Sequence, residues 1–423
     1  MKLWASQSRC GVICYGLTWF VDRVTLDRYL DLQRRPSNFV PQFAVNNKAK
    51  LPDLELGADP FLFSNIPASY YQTPIADLLT RGQEIKRQLG DELVILAHYY
   101  QQNDTFSLAD HVGDSLYLAQ QAAKAKAKYI LFAGVHFMVE SADILTSDDQ
   151  AAILPNLTAG CSMADMADHD HVEDAFEIIE EISGEKIIPV TYINSTAAIK
   201  AFTAEKGGVV CTSGNSRKIL EWALTQGDKV FFFPDQFLGI NTALAMGIPR
   251  EEIVLWNRAK HDGGLTAEQV KRAKVILWDG FCSVHQRFSP SHVEQVRQRI
   301  PGVQVMVHPE CPDKTVEAAD FSGSTSQILE KINQAPKGSK WAIGTEINMV
   351  NRLAKEMKPK GIHIEVLNPT VCICSTMYRN HPAHMLWVMD HLLKGEVIHQ
   401  IKVEEPVKSL ARQSLERMLE LSR

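Results

Sequence analysis

The sequence predicts an α/β fold built around parallel sheets, and three observations carry this prediction. Short apolar runs alternate with amphipathic segments of helical spacing, an order that is typical of βαβ units. The run at residues 93–97 is apolar throughout, as a parallel strand is when helices cover both faces. Three runs end in similar polar residues, namely Ala97-His98-Tyr99-Tyr100, Thr191-Tyr192-Ile193-Asn194 and Val307-His308-Pro309-Glu310. This repeat favours triplication of one module of about 100 residues, although any α/β protein has polar strand ends.

Residues 1–73 are predicted to form an irregular N-terminal extension, because Pro36, Asn46 and Pro60 are among the many turn-forming residues in this part. Residues 10–21 are apolar and resemble a short signal-peptide core. They lack a small-x-small cleavage site, and Asp22 and Arg23 follow directly, so we interpret them as part of the extension.

The first helix is predicted over residues 75–89, where apolar residues recur at helical spacing and Gly90 follows. Residues 93–97 form a buried strand, and Asp114 with Ser115 can cap a helix that runs to residue 127. Later apolar runs predict strands at 129–133, 151–156, 187–192, 208–211, 230–233, 275–277, 303–307, 341–343 and 362–367. Amphipathic segments between them predict helices that include 218–224, 291–299 and 326–332.

These elements divide into three predicted α/β modules. Module 1 covers residues 74–168, module 2 covers 169–284 and module 3 covers 285–379. The C-terminal helix, residues 380–423, could complete module 1. The chain has 423 residues, 45% of them hydrophobic, which is enough for several cores.

Composition excludes several classes of function. The formal net charge is −6 and no Lys/Arg patch interleaved with aromatic residues is present, so we expect no nucleic-acid partner. No run approaches the roughly 18 apolar residues that span a bilayer, so we expect no membrane segment. Eight cysteines are too few for a secreted disulfide scaffold of this length, and a reducing cytoplasm fits better.

Three distant cysteines are candidate metal ligands, because Cys161, Cys282 and Cys374 each follow a strand-like run. Loops at the carboxyl ends of parallel strands gather ligands, so three thiols could converge on one metal centre. A four-iron cluster held by three thiolates keeps one iron open for substrate. A lone cysteine is more often a small buried hydrophobe. Cys372 and Cys374 form a Cys-x-Cys pair, of which one could be the ligand and the other a bystander or redox partner.

The polar strand ends and two turns are further candidates. His98, His308 and Glu310 are general acid/base residue types, and Tyr100 and Tyr192 can donate protons. Turns at 213–216 and 323–325 precede helices, so their N–H groups and hydroxyls could bind a phosphate or carboxylate. Plain helix capping is an equally good interpretation of these turns and of Ser115.

Together these residues resemble the quinolinate synthase family over residues 75–390. The segments that carry the resemblance are His98-Tyr99-Tyr100-Gln101, Gly113-Asp114-Ser115-Leu116, Ala159-Gly160-Cys161-Ser162, Val190-Thr191-Tyr192-Ile193-Asn194-Ser195, Pro234-Asp235-Gln236, Cys282-Ser283-Val284-His285, His308-Pro309-Glu310-Cys311, Gly323-Ser324-Thr325 and Gly344-Thr345-Glu346. The resemblance implies three similar three-layer αβα modules with parallel sheets around a pseudo-threefold axis. It also implies a 4Fe-4S cluster that binds one cysteine from each module.

The activity that the resemblance implies is the condensation of iminoaspartate with dihydroxyacetone phosphate to quinolinate, for NAD biosynthesis, with an L-aspartate oxidase as a candidate supplier of the imine. The implied cluster ligands are Cys161, Cys282 and Cys374, the last favoured over Cys372 by the Met377 to Asn380 pattern that follows it. The implied substrate contacts are His98, Ser115, Tyr192, Asn194, Ser213, His308, Glu310 and Thr325. Tyr100, Tyr192, His308 and Glu310 are the predicted catalytic residues.

Three other functions compete with this one. An aconitase-like hydro-lyase also uses a three-cysteine cluster with an open iron, but it needs no phosphate site. A non-catalytic iron–sulfur sensor or carrier leaves the polar strand ends without a role. A zinc-dependent lyase would ordinarily show a close Cys-x-x-Cys or paired-histidine spacing, and the sequence has neither.

Overall fold

The computed structural model describes residues 66–368 and 372–423. The strands are β1 Leu93–His98, β2 His111–Gly113, β3 Tyr129–Ala133, β4 Ala151–Ile153, β5 Ile187–Tyr192, β6 Val209–Cys211, β7 Lys229–Phe233, β8 Ile253–Trp256, β9 Val275–Trp278, β10 Gln304–Val307, β11 Phe321–Ser322, β12 Lys340–Gly344, β13 His363–Val366 and β14 Gln400–Ile401. The helices are α1 Ala68–Gln72, α2 Ile75–Leu89, α3 Asn103–Phe106, α4 Ser115–Lys124, α5 His136–Leu145, α6 His169–Ser183, α7 Ala197–Glu205, α8 Ser216–Gln226, α9 Gln236–Ala245, α10 Ala267–Arg272, α11 Pro290–Arg299, α12 Asp313–Ala318, α13 Thr325–Asn333, α14 Ile347–Met357, α15 Pro382–Leu392 and α16 Val407–Leu421.

The strands form three sheets. Sheet 1 has the order β14-β4-β3-β1-β2, sheet 2 has β6-β5-β7-β9-β8, and sheet 3 has β11-β10-β12-β13. Every pairing is parallel except that of β14 with β4. Helices connect the parallel strands and flank the sheets, so the predicted α/β fold class with repeated parallel modules is confirmed.

The strands are apolar on both faces because each sheet lies between two layers of helices. In β3, Ile130 and Phe132 pack into one core with α4 and α5. Its alternate residues, Leu131 and Ala133, pack into a second core with α2 and α15. Successive side chains of a strand point to opposite faces, so both faces must be apolar. The bounds of β3, β5 and α2 are those that the sequence predicted.

Several predicted bounds differ from the structure. Helix α4 ends at Lys124 rather than at residue 127, because Ala125 is already extended. An irregular extension was predicted for residues 1–73, of which residues 1–65 lie outside the described residues. Within the described remainder, Ala68–Gln72 forms helix α1 and is not irregular. Pro67 precedes this helix, and Tyr70 packs edge-on against Trp387 with ring centroids 5.2 Å apart. Strands β2 and β11 were not predicted, because His111–Gly113 and Phe321–Ser322 are not apolar runs. The apolar strand β8, Ile253–Trp256, was also not predicted.

The C-terminal part of the chain contacts two of the sheets. Strand β14 joins the edge of sheet 1, and α15 packs against α2 on that sheet. Helix α16 packs mainly against α7 and also contacts β6 of sheet 2. The module boundaries stay predictions. Among the described residues, no helix combines the length and the apolar character that crossing a membrane requires.

Candidate active site

One cavity lies where the carboxyl ends of strands from all three sheets meet. Its lining includes every site residue that the sequence predicted: His98, Tyr100, Ser115, Cys161, Tyr192, Asn194, Ser213, Cys282, His308, Glu310, Thr325 and Cys374. These residues follow parallel strands or begin the helices after them, which is why one edge of each sheet can supply them. The roles assigned to them stay predictions.

The three cysteines lie in turns of the same geometry. Cys161 follows β4, Cys282 follows β9 and Cys374 follows β13. The carbonyl of each cysteine accepts a hydrogen bond from the N–H group four residues later, and a short 3-10 helix is part of each turn. N–H groups two and three residues later donate toward each sulfur. The internal repeat that the strand ends suggested is therefore clearest in the cysteine turns.

The cavity thiols are neutral when nothing is bound to them. Desolvation raises the pKa of Cys161 to about 12 and the pKa of Cys282 well above its usual range, the latter with help from the Glu310 carboxylate. Desolvation also raises the pKa of Cys374, which lies 3.5 Å from the Thr376 hydroxyl. The N–H groups oppose these shifts without reversing them. A metal centre would have to displace the thiol protons, as metal binding to cysteine ordinarily does.

The two cysteines of the Cys-x-Cys pair have different surroundings. Cys374 lines the cavity. Cys372 is only 1% exposed and belongs to an apolar core with Val284 and Leu367. This placement favours Cys374 as the ligand and leaves Cys372 as a small buried hydrophobe.

A chain of hydrogen bonds connects the two predicted proton-donating tyrosines. The Tyr192 hydroxyl donates to Glu310 Oε1 at 2.5 Å. Glu310 Oε2 lies 2.9 Å from His285 Nδ1, and His285 Nε2 lies 3.1 Å from Thr345 Oγ1. The Tyr100 hydroxyl lies 2.8 Å from the same Thr345 oxygen. Residues from all three sheets thus share one buried polar network, which rigidifies their side chains.

The protonation states of this network differ from residue to residue. Desolvation lowers the pKa of His98 and of His308 to about 3, so both imidazoles are neutral near pH 7. Desolvation opposes ionisation of Glu310, but His285, His308 and the Tyr192 hydroxyl outweigh it and lower the pKa of Glu310 to about 2. Desolvation and the Glu310 charge raise the pKa of Tyr192 well above 10. The site therefore holds a carboxylate beside a protonated phenol.

Three helix N-termini also border the cavity. Helix α4 begins at the cavity-lining Ser115 and α13 at the cavity-lining Thr325, and the turn that leads into α8 holds the cavity-lining Ser213. Ser326 on α13 donates to Asp114 Oδ2 at 2.6 Å, which connects the first of these turns to the third. Helix N-termini favour anions, because their first N–H groups are unpaired and the helix dipole is positive there.

Two residues of the network were missed by the sequence analysis, although they stand in motifs that carried the resemblance. His285 is 1% exposed, and its ring stacks on His308 with centroids 4.4 Å apart. Thr345 is fully buried and joins His285 to Tyr100. Their positions in the sequence could have identified them, because His285 comes three residues after the candidate ligand Cys282 and Thr345 directly follows the strand β12.

One alternative metal set lies in the same place. Donor atoms of Cys282, His285 and Glu310 all lie within 4.8 Å of one another. A thiolate, an imidazole and a carboxylate would suit zinc. His285 and Glu310, however, already bind each other, Thr345 and Tyr192, so their ligand atoms are engaged in the network.

Comparison with known proteins gives one consistent family. The family model described as "NadA: Quinolinate synthetase A protein" matches residues 82–420. The chain is similar to the quinolinate synthase of Corynebacterium glutamicum, with 51% identity over 356 residues, 84% of this chain and 90% of the relative. It is also similar to the quinolinate synthase of Acidobacterium capsulatum, with 49% identity over 83% of this chain and 95% of the relative. The quinolinate synthase of Listeria monocytogenes is 47% identical over 84% of this chain and 97% of the relative.

Proposed function

Because the chain belongs to the quinolinate synthase family, we propose that it condenses iminoaspartate with dihydroxyacetone phosphate to form quinolinate, with release of phosphate and water. The observation that carries this proposal is the cavity itself, which brings three thiols together with a carboxylate, two neutral histidines and two phenols. No single sheet supplies this set.

We further propose that Cys161, Cys282 and Cys374 would hold a 4Fe-4S cluster. Three thiols in matching turns around one cavity are the donor set that such a cluster needs, and the N–H groups aimed at each sulfur would stabilise the thiolates. When bound by three thiolates, the cluster supplies an open iron that is a Lewis acid.

The substrates carry carboxylates and a phosphate, and the cavity offers matching groups. The hydroxyls of Ser115, Ser213 and Thr325 lie by helix N-termini that would bind these anions. Asn194 contributes a second argument, because its side-chain oxygen is buried and has no hydrogen-bond partner among the described residues. A substrate N–H or O–H group would satisfy that oxygen, and the neutral His98 imidazole could bind substrate in the same cavity.

The proton transfers are assigned to the tyrosines, His308 and Glu310. Tyr192 keeps its proton near pH 7, and the ionised Glu310 orients this phenol by accepting its hydrogen bond. A bound anionic substrate would raise the pKa of Glu310 and let it take part in proton transfer. Tyr100 is a second phenol whose pKa desolvation raises, so it too is a donor at neutral pH. His308 is neutral in the cavity; the negative charges of a bound substrate would raise its pKa, and it would then accept a proton from a substrate carbon or nitrogen. Condensation, dehydration and ring closure each move protons, so one pocket needs several such groups.

We place this activity in NAD biosynthesis, in the cytoplasm, where reducing conditions keep the cavity thiols free. An L-aspartate oxidase is the proposed source of the imine. All of these assignments rest on the family and on the chemistry of the cavity.

The test compares Cys374→Ala with Cys372→Ala in protein purified without oxygen. We expect wild-type protein to contain about four irons and four acid-labile sulfides per chain and to form quinolinate from the two substrates. Cys161→Ala and Cys374→Ala should lose the brown absorbance and the activity, whereas Cys372→Ala should keep both. A Cys161→Ala variant that is fully active but contains no iron would contradict the cluster proposal.

Two outcomes would favour other functions. Zinc in place of iron would indicate the Cys282, His285 and Glu310 set. An iron–sulfur protein that dehydrates hydroxy acids but ignores dihydroxyacetone phosphate would be a hydro-lyase, and the three helix N-termini would then lack a phosphate to bind.

A further inference from the structure

Tyr100 follows a strand of sheet 1, but its hydroxyl meets a residue of sheet 3. The residue comes two positions after the end of β1, and its hydroxyl lies 2.8 Å from Thr345 Oγ1, directly after β12. The placement of this phenol in the cavity therefore depends on how the loop after β1 is fastened to the β12–α14 unit.

Arg352 on α14 makes that connection. Its Nη2 donates to the carbonyl of Tyr99, and its Nη1 donates to the carbonyl of Gln101 at 3.2 Å. The same Nη1 lies 3.2 Å from Asn103 Oδ1, and the guanidinium lies over the Phe106 ring at 3.9 Å from its centroid. One side chain of α14 thus holds the carbonyls of the two residues that flank Tyr100.

We propose that Arg352 is a positioning residue, which sets the place of the Tyr100 hydroxyl by holding the two flanking carbonyls. The inference rests on the proposed function in one respect, the role of Tyr100 as a proton donor. Thr345 directly follows β12, and Arg352 lies in the middle of α14, the next helix. The hydroxyl and the backbone of Tyr100 are therefore both held by residues of one βα unit.

The chemistry of the guanidinium explains why arginine occupies this position. Its planar fork donates in two fixed directions, and its flat face stacks on an aromatic ring. A lysine could satisfy only one of the two carbonyls at a time, and its ammonium would not stack in the same way. Misplacement of a reacting group by about 1 Å can cost about a hundredfold in rate, so this support is expected to show in the turnover number.

The test is a double-mutant cycle of Arg352→Met with Tyr100→Phe. Methionine keeps the length of the stem and removes both donors. In the wild-type background we expect kcat to fall about tenfold or more, with KM for either substrate changed less than about threefold. In the Tyr100→Phe background the same change should cost less than about twofold, because Arg352 acts through a hydroxyl that is already gone. Arg352→Lys should lie between the wild type and Arg352→Met.

Arg417→Met is the matched control. Arg417 also donates to a backbone carbonyl, that of Gly208, and lies near an aromatic ring, with its guanidinium 5.8 Å from the Trp222 centroid. Its variant should lose stability without the loss in kcat. Equal losses from Arg352→Met in both backgrounds would overturn the inference.

A crystal structure of Arg352→Met gives a readout that does not depend on activity. We expect the Tyr100 hydroxyl to leave hydrogen-bond distance of Thr345 Oγ1. A hydroxyl still at about 2.8 Å would contradict the inference whatever the reaction is. Failure of the wild type to form quinolinate would instead contradict the proposed function, and the crystal structure would still decide the role of Arg352.

Discussion

Glu310 shows at the scale of one residue how this cavity controls charge. Its two oxygens bind different partners, the Tyr192 hydroxyl on one side and His285 on the other. A buried carboxylate would ordinarily resist ionisation, but these donors lower its pKa to about 2. His285 in turn is fixed by Thr345 and by stacking on His308. We therefore interpret His285 as the residue that orients Glu310.

Replacement of His285 by alanine should lower kcat about a hundredfold, because Glu310 loses the donor that fixes its second oxygen. KM should change much less. His285→Asn keeps a donor on a shorter side chain and should recover part of the rate. Steady-state kinetics and iron analysis of each variant check this, since a role in orientation leaves the iron content unchanged. His292→Ala, which only removes a cap from α11, serves as the control. Unchanged kcat in His285→Ala would contradict this assignment.

The turn before α8 shows at the scale of an element how one side chain holds a helix end at the cavity. Asn215 Oδ1 accepts hydrogen bonds from the Thr212 backbone N–H at 2.6 Å and from the Thr212 hydroxyl at 3.1 Å. Its Nδ2 donates to Ser422 Oγ at 2.8 Å, just after the end of α16. The side chain closes the turn that carries Ser213 into the cavity. Capping alone does not account for this arrangement, because Asn215 binds the turn and not the first N–H groups of α8.

Asn215→Ala should raise KM for dihydroxyacetone phosphate about tenfold, with kcat nearly unchanged, because a turn that is no longer held must be ordered by the substrate. Asn215→Asp retains the acceptor oxygen and should restore much of the affinity. Kinetics with each substrate varied in turn test this. The control is Thr266→Ala, which removes the cap of α10 at a cost of about 1 kcal/mol in stability. An equal rise in KM in both variants would show that loss of stability is the cause.

At the scale of the whole molecule, the cavity depends on contacts between sheets. The turn of Cys374 comes after β13 of sheet 3, but residues beside the strands of sheet 1 hold it in place. Asn380 Nδ2 donates to the carbonyl of Gly134, directly after β3, at 2.6 Å. Thr105 on α3 donates to the carbonyl of Asn380 at 2.5 Å. Arg379 also donates to the carbonyl of Thr158, three residues before Cys161. Two of the three thiol turns are thereby tied to each other.

His384 lies beside this junction and links global stability to pH. It is 2% exposed, and its Nε2 lies 2.6 Å from the Tyr71 hydroxyl. Desolvation lowers the pKa of His384 from 6.5 to about 3. Between these values the unfolded chain binds a proton that the folded chain does not, so the free energy of unfolding falls as the pH decreases through this window.

His384→Gln should remove this contribution. Each pKa unit corresponds to about 1.4 kcal/mol, so the stability advantage of wild type over the variant should shrink by about 2 kcal/mol between pH 6.5 and pH 5. Urea unfolding at several pH values measures it. Tyr71→Phe is the control, because it removes a hydrogen bond of His384 but keeps the histidine, and its stability deficit should depend little on pH. Parallel stability curves for wild type and His384→Gln would contradict the assignment.

Local patterns were sufficient for much of the fold. The apolar run of β3 and the helical spacing of α2 predicted both elements with their observed bounds. The same patterns placed Cys161, Cys282 and Cys374 after strands, and strand ends of a parallel sheet point to one edge. These features depend on residues near each other in the chain, so the sequence by itself determined the fold class and the strand ends that carry the candidate residues. The choice among those residues came from the resemblance to the family.

Only the tertiary structure decided how those residues are paired. Tyr192 and Glu310 are hydrogen-bonded although 118 positions separate them in the sequence, and Tyr100 and Thr345 are hydrogen-bonded across a separation of 245 positions. Neither pairing has a local signature, because hydrogen-bond partners depend on how the sheets pack. The contacts of Arg352 with the loop after β1 also have no local signature, because in the sequence Arg352 is an ordinary helix residue. Packing also distinguishes Cys374 from Cys372, because the folded chain puts the first at the cavity and the second in an apolar core. This agrees with the Met377 to Asn380 pattern, which favoured Cys374.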